Sequence, residues 1–226
     1  GHQNVSGLVG WNSGTITHTH ASGNVTASSA TVSNAGGLAG YNAGDVSNSS
    51  FTGNVSGETD VGGLVGYSTG NISGNLAAAA VTGDTNVDPV VGNNTESGSV
   101  TDAYWDTEAS DHSSARFGTG LTTAEMTGMN ATRNMGDLSF YDAWAPVKGD
   151  YPQSASLAGT DGTTASAFDR YFPGDGTEAN PYEIETAPEL QAMNDDRDAH
   201  YELASDVDAS ETSSWNGEKG FEPVGG

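Results

Sequence analysis

Apolar side chains in the first hundred residues recur at long, even intervals instead of at helical spacing. Three copies of one motif carry them: Gly7-Leu8-Val9-Gly10-Trp11, Gly37-Leu38-Ala39-Gly40-Tyr41 and Gly63-Leu64-Val65-Gly66-Tyr67. The copies start 30 residues apart (37 − 7) and then 26 apart (63 − 37). A worn fourth, Val90-Val91-Gly92-Asn93, keeps the 26 (92 − 66), so the first interval holds an insertion of four residues. Behind each motif a glycine (Gly14, Gly44, Gly70) precedes a β-branched residue (Ile16, Val46, Ile72) by two, and Val25, Val55 and Val81 line up further on.

A unit with so few inward apolar side chains cannot bury a core alone and must stack on its neighbours. Gly, Ser, Thr, Asn and Val dominate, which points to coiled parallel strands. At roughly 3.3 Å per strand residue, a coil of this length fits a three-sided turn with glycine at its corners, where positive φ is allowed. The expected strands lie at the Gly-Leu motif, from Ile16, Val46 or Ile72, and near Val25, Val55 or Val81. The fold class is therefore mainly β: a right-handed parallel β-helix over residues 1–100, of about three and a half coils. Leu8, Leu38 and Leu64 form one predicted interior ladder, and Ile16, Val46 and Ile72 another.

The run Val61-Gly62-Gly63-Leu64-Val65-Gly66-Tyr67, with Gly53-Asn54-Val55 before it, resembles the GLUG repeat family. That family occurs in bacterial and archaeal surface proteins and in non-catalytic parts of some immunoglobulin A peptidases. The resemblance implies an extracellular β-solenoid.

Beyond the repeat, residues 101–153 read as a segment that closes the solenoid and shields its unpaired edge. It holds Ala103-Tyr104-Trp105-Asp106-Thr107-Glu108 and a short helix predicted through Met129, capped by Thr122 or Thr123, with Glu125 completing a capping box on Thr122. The segment is similar to those that close GLUG solenoids in archaeal surface proteins. Residues 154–170, rich in Ser, Ala, Gly and Thr, read as a linker. Residues 171–226 form a small α/β capping module: a strand at Tyr182-Glu183-Ile184, a helix from Ala187 to Asn194 with Thr186 as cap and Pro188 in its first turn, and a strand from His200 to Leu203. This module is similar to the one that begins a GLUG β-helix. A solenoid without its beginning is thus followed by a beginning without its solenoid. The expected consequence is homotypic head-to-tail joining, covalent in a tandem array or by docking, with Val5, Leu8, Trp215, Phe221 and Val224 as interface candidates.

Charge narrows the partners. The chain carries 30 acidic and 6 basic residues, net −24, and residues 1–100 hold 6 of the acids and no Lys or Arg, leaving −24 + 6 = −18 for the rest. Nucleic acid and anionic membrane are disfavoured. The acid excess fits a salt-loving source, where salt screens the repulsion. With no cysteine there is no disulfide framework or thiolate metal site. No leader or membrane span is visible, so an exported chain is expected to be a processed or partial product. Seven Asn-x-Ser/Thr sequons, at Asn4, Asn24, Asn48, Asn54, Asn71, Asn93 and Asn130, are candidate glycosylation sites on an exported protein.

Catalytic chemistry finds little purchase. Glycan hydrolysis needs two carboxylates at a set separation, and the one in-register pair, Glu58 and Asp84, falls at a corner. No Gly-x-Ser-x-Gly elbow occurs. His18 and His20 would face one side of a strand and could hold a metal between them, though no third ligand is evident. Asp206, Asp208 and Ser210 alternate as a calcium loop begins, giving a possible structural calcium site that lacks the later glycine and glutamate. Trp11, Tyr41 and Tyr67 are expected to pack on one another in preference to forming a sugar platform. The expected function is a non-enzymatic extracellular structural protein, a unit of a cell-surface filament or adhesin meeting other surface proteins or glycans. The alternative is a glycan-binding or glycan-cleaving fibre such as a viral tail spike.

Overall fold

Four strands, not three, make each coil. The first coil is β1 (Gln3–Ser6), β2 (Val9–Asn12), β3 (Thr15–Thr17) and β4 (His20–Thr26). The second repeats it as β5 (Ser33–Gly36), β6 (Ala39–Asn42), β7 (Asp45–Ser47) and β8 (Ser50–Ser56). The third is β9 (Thr59–Gly62), β10 (Val65–Ser68), β11 (Asn71–Ser73) and β12 (Leu76–Thr82). The fourth is β13 (Thr85–Asp88), β14 (Val91–Asn94), β15 (Val100–Thr101) and β16 (Tyr104–Asp106). This computed structural model describes residues 3–28, 33–95, 97–140, 143–155, 171–194, 196–215 and 219–224.

The three-sided expectation took the Gly-Leu motif for a strand, whereas it is a corner. Gly7-Leu8, Gly37-Leu38 and Gly63-Leu64 bend the chain between two short strands, and the leucine points inward at the bend. There Leu38 N–H donates to Leu64 O at 2.8 Å, and Leu64 N–H to Val90 O at 2.9 Å, so the corners stack as regularly as the strands.

The strands form four parallel sheets: β1-β5-β9-β13, β2-β6-β10-β14, β3-β7-β11-β15 and β4-β8-β12-β16. A short strand, β17 (Thr119–Leu121), extends the last of these beyond β16. Ile16, Val46, Ile72 and Val100 are in register, as are Val25, Val55 and Val81. These side chains, with Leu38, Leu64 and Phe51, fill one continuous core. Full burial of each is worth roughly 1.5–3 kcal/mol. Between β4 and β5 the chain spends six residues, against two between β8 and β9, so the insertion of four falls between those two strands.

Another corner explains the polar residues of the repeat. His18 (φ 51), Asn48 (φ 47), Gly74 (φ 66) and Asp102 (φ 51) form a column of left-handed residues between the third and fourth strands of each coil. Asn, Asp and Gly tolerate this region best. A second column turns the chain after β2 and β6: Asn12 Nδ2 donates to Asn42 Oδ1 at 2.7 Å, and Asn42 Nδ2 to Ser68 Oγ at 3.2 Å. Both side chains also bind backbone at the turn, which satisfies buried polar groups that no strand pairs.

The closing segment wraps the outside of the solenoid as well as its end. Helices α1 (Thr123–Met126) and α2 (Asn130–Asn134) and the antiparallel pair β18 (Trp144–Val147) and β19 (Asp150–Ser154) pack on Leu76, Ala78 and Tyr104. The predicted Thr122–Glu125 capping box is present, but the helix stops at Met126 instead of Met129. Thr127 is extended and Gly128 has φ 58, and the break sends Met129 to a different cluster. Of the predicted linker, residues 156–170 lie outside the described residues.

In the C-terminal module, β20 (Tyr182–Ile184) and β21 (Tyr201–Leu203) pair in parallel, flanking α3 (Ala187–Ala192). Helix α3 is shorter than predicted at its C-terminal end, and its N-terminus has the Thr186–Glu189 capping box with Pro188 in the first turn. A 3-10 turn, Ser210–Ser214, follows. Among the described residues no helix is long and apolar enough to cross a membrane.

Candidate functional site

Three surfaces carry the candidate residues: the open first coil, the junction between closing segment and module, and the outer face of the β4-β8-β12 sheet.

Among the described residues, none covers the edge of the first coil. Leu8 is 47% exposed, while Leu38 and Leu64 at the same position in later coils are 0% exposed. Val5 beside it is half-buried against the core. Trp11, which the interface candidates omitted, is 56% exposed. Its ring lies on Tyr41 at 4.2 Å, and Tyr41 lies on Tyr67 at 5.2 Å, with planes 13° and 17° from parallel. The three rings run up the outside of the solenoid and cover one another's faces. A sugar platform needs open faces, and this stack offers one, the outer face of Trp11. The first coil also contains no Asp, Glu, Lys or Arg, so it is an uncharged end on a molecule of net charge −24.

The other interface candidates lie elsewhere. Trp215 is 7% exposed, with the Arg133 guanidinium 3.5 Å over its ring and Phe221 6.4 Å away. Its indole is occupied within the chain. Phe221 is half-buried and Val224 is exposed. The module is seated on the closing segment: Met129 enters its cluster, and Lys148 pairs with Glu185 and Glu189. Those glutamates hold the Lys148 ammonium above its ordinary pKa, chiefly through the hydrogen bond to Glu185. A crevice of about 340 Å³ runs along this junction, lined by Arg133, Leu138, Phe140, Pro188 and Gln191.

Two buried carboxylates bolt the closing segment down. Asp106 accepts from Glu108 N–H at 2.7 Å, Ala109 N–H at 2.9 Å, Thr123 Oγ1 at 2.6 Å and the Tyr151 hydroxyl. Burial works against its charge, but these donors outweigh it and hold the carboxyl below its ordinary pKa. The Tyr151 phenol is correspondingly pushed up, by burial first and by Asp106 second. Tyr104, buried and donating to Asp137 at 2.9 Å, is raised to about 12. Asp88 receives the backbone N–H groups of Val90, Val91 and Arg116, and the Arg116 side chain reaches Gly92 O. The only sequence signal for Asp106 is its place directly behind the aromatic pair Tyr104-Trp105.

The cation candidates make contacts within the chain. Among the described residues no three His, Asp or Glu side chains converge as a metal site. Asp208 accepts from Ser210 N–H at 2.9 Å, a turn that lowers its pKa through that backbone bond, and Asp206 is exposed. His18 and His20 do not alternate on a strand, because His18 is a left-handed corner residue; its Nδ1 bonds Thr17 Oγ1, whereas His20 Nδ1 bonds Ser50 Oγ. Burial lowers the His20 pKa against the opposing pull of Asp150. Glu58 and Asp84 do stack, at an exposed corner where Asp84 N–H donates to Glu58 O at 3.2 Å.

The seven sequon asparagines fall in different places. Asn4 accepts from Asn34, Asn71 donates to Asp45 and accepts from Ser99, Asn93 donates to Asp60, and Asn130 donates to Ala124 O. Asn48 is a half-buried left-handed corner. Asn24 and Asn54 are exposed and in register on β4 and β8.

Residues 31–56, most of the second coil, match the GLUG motif. The second coil carries the GLUG motif. Over 58 residues, 24% of this chain, it is 50% identical to a protein named halomucin from Haloquadratum walsbyi. The matched stretch spans about 1% of that relative's length. No solved structure matches the chain. In the second coil Leu38 fills the inner corner, Tyr41 sits in the middle of the outer stack, and Gly44 lies where successive coils come closest.

Proposed function

We propose that this chain is a non-enzymatic structural unit of an extracellular, cell-surface protein, a stiff solenoid continued axially by a further β-coil stacked on its first coil. In a filament or tandem array the opening module of the next unit supplies that coil, head to tail. The halomucin-like segment and the acid excess support a salt-adapted surface setting.

One observation carries the axial reading. A Cβ on Gly44 would lie 2.0 Å from Gly14 O, and one on Gly70 would lie 1.9 Å from Gly44 O. Glycine is required there because the coil before comes so close. Gly14, in the first coil, would meet nothing within 4 Å, and its φ demands no glycine. It is the residue a preceding coil would need. Exposed Leu8 and Trp11 and the absence of charge fit the same partner, since an acidic neighbour can approach an uncharged end without repulsion. In the C-terminal module, β21 has β20 as its one strand partner among the described residues and exposes Leu203 by 63%, which leaves a parallel edge for pairing.

Electron microscopy of the purified chain in high and low salt tests the proposal, with Gly14→Val as control. Regular linear polymers with a repeat of one subunit length are expected for the parent, and dispersed particles with unchanged circular dichroism for the variant. Single particles of the parent at both salts, or polymers indifferent to the valine, would refute it.

A further inference from the structure

We infer that Asn24 and Asn54 together form the N-glycan acceptor site of this protein, one rung above the other on the part of the β4-β8 face that the closing segment leaves open. The inference rests on the reading that the chain is exported.

The fold sorts the seven sequons by what their amides already do. A glycan on Asn stays in water after folding, so its attachment point must be an outward amide with no partner in the folded chain. Asn71 and Asn93 are held by Asp45 and Asp60, Asn4 and Asn130 are tied to Asn34 and Ala124, and Asn48 is a half-buried corner. Asn24 and Asn54 are exposed.

Strand geometry adds the second requirement. Asn-Val-Thr on β4 and Asn-Val-Ser on β8 are extended, so residues i and i+2 share a face while the valine between points the other way. Val25 is 5% exposed and Val55 0%, which places Asn24 with Thr26, and Asn54 with Ser56, on the outside. The two hydroxyls meet, Ser56 Oγ donating to Thr26 Oγ1 at 3.2 Å. At the other end of these strands, His20, Ser50, Thr52 and Leu76 are covered by residues 150–153 around a crevice of about 80 Å³. The next rung carries Ala80, which has no amide, so the acceptor pair ends there. Adjacent rungs are about 4.8 Å apart, close enough for the first sugars of the two to pack side by side.

The transfer takes an oligosaccharide from a lipid-linked phosphate donor. The Asn Nδ2 bonds C1 of the first sugar, the bond from C1 to the phosphate oxygen breaks, the lipid phosphate leaves as the anion, and one amide proton passes to the transferase's base. No oxidant or reductant is involved.

The test secretes the full chain behind an added leader from a haloarchaeal host that N-glycosylates its exported proteins, followed by glycopeptide mass spectrometry. The added leader makes the result independent of the chain's natural location, which is read separately from the polymer assay. Sugar on the Asn24 or Asn54 peptide, lost in the Asn24→Gln/Asn54→Gln double variant and in Thr26→Val/Ser56→Ala, is the expected result. An unmodified chain, or sugar confined to the other five sequons, overturns the inference.

Discussion

The hydroxyl of Tyr151 donates to the buried carboxylate of Asp106, joining the last strand of the closing segment to the last strand of the solenoid's fourth coil. Asp106 is 0% exposed and takes three further hydrogen bonds, so its charge is held by donors from the turn behind β16, from α1 and from β19. Asp106→Asn keeps the size but turns an amide N–H₂ toward groups that themselves donate. A loss of about 2–4 kcal/mol is expected, from charge-assisted bonds plus buried donors left unpaired. Tyr151→Phe removes one donor of several and should cost about 1–2 kcal/mol. Urea unfolding of both variants and the double variant at fixed salt checks this, and the double variant should cost less than the sum.

The same carboxylate sets an acid-side signature. Its folded pKa lies below the ordinary 3.8, so the folded state holds its proton less tightly than the unfolded chain. Its contribution is complete above 3.8 and is lost as pH falls through the lower folded value. Protonating the many surface acids relieves repulsion at the same time, so the parent alone is a poor reporter. The difference in unfolding free energy between parent and Asp106→Asn is the cleaner quantity. It should be constant well above 3.8 and shrink as pH falls below it, followed by denaturant titration at each pH.

Backbone contact between coils predicts opposite outcomes at equivalent positions. Gly44→Ala and Gly70→Ala place a methyl about 2 Å from a carbonyl oxygen, and both should unfold the chain or cost at least about 3 kcal/mol. Gly14→Ala meets open space and should change stability by under about 0.5 kcal/mol in the dispersed chain. Thermal melts of the three variants decide it. Equal destabilisation at Gly14 would show that its glycine serves the coil itself.

How far the sequence disclosed this structure depended on whether a residue's role repeats. Leu38, Leu64, Val46, Ile72, Val55 and Val81 recur in phase, and all are in the core where their period puts them. The stack of Trp11 on Tyr41 on Tyr67 was visible for the same reason. The number of strands per coil was hidden, because Gly36-Gly37-Leu38 reads as part of a strand while the coil bends there. His18 misled for a related reason: side-chain alternation assumes an extended backbone, and φ 51 reverses it. Asp106 and the seating of Trp215 under Arg133 occur once and depend on contacts between distant segments, so no periodicity announced them.

The leucine ladder offers a last test, because one position has two environments. Leu64 is 0% exposed and its truncation to Ala should cost about 3 kcal/mol, the usual range for a filled core site. Leu8 occupies the equivalent place but is 47% exposed, so Leu8→Ala in dispersed chain should cost under about 1 kcal/mol. If a further coil stacks on the first, Leu8 becomes an interior residue in the assembled state and its truncation acts on association. The critical concentration for polymer formation, measured by light scattering, should then rise about tenfold or more in Leu8→Ala, the equivalent of about 1.4 kcal/mol. Leu8→Asp should abolish assembly, since a charge there would be buried without a partner. A Leu8→Asp chain that polymerises like the parent would place the contact between units somewhere other than the first coil.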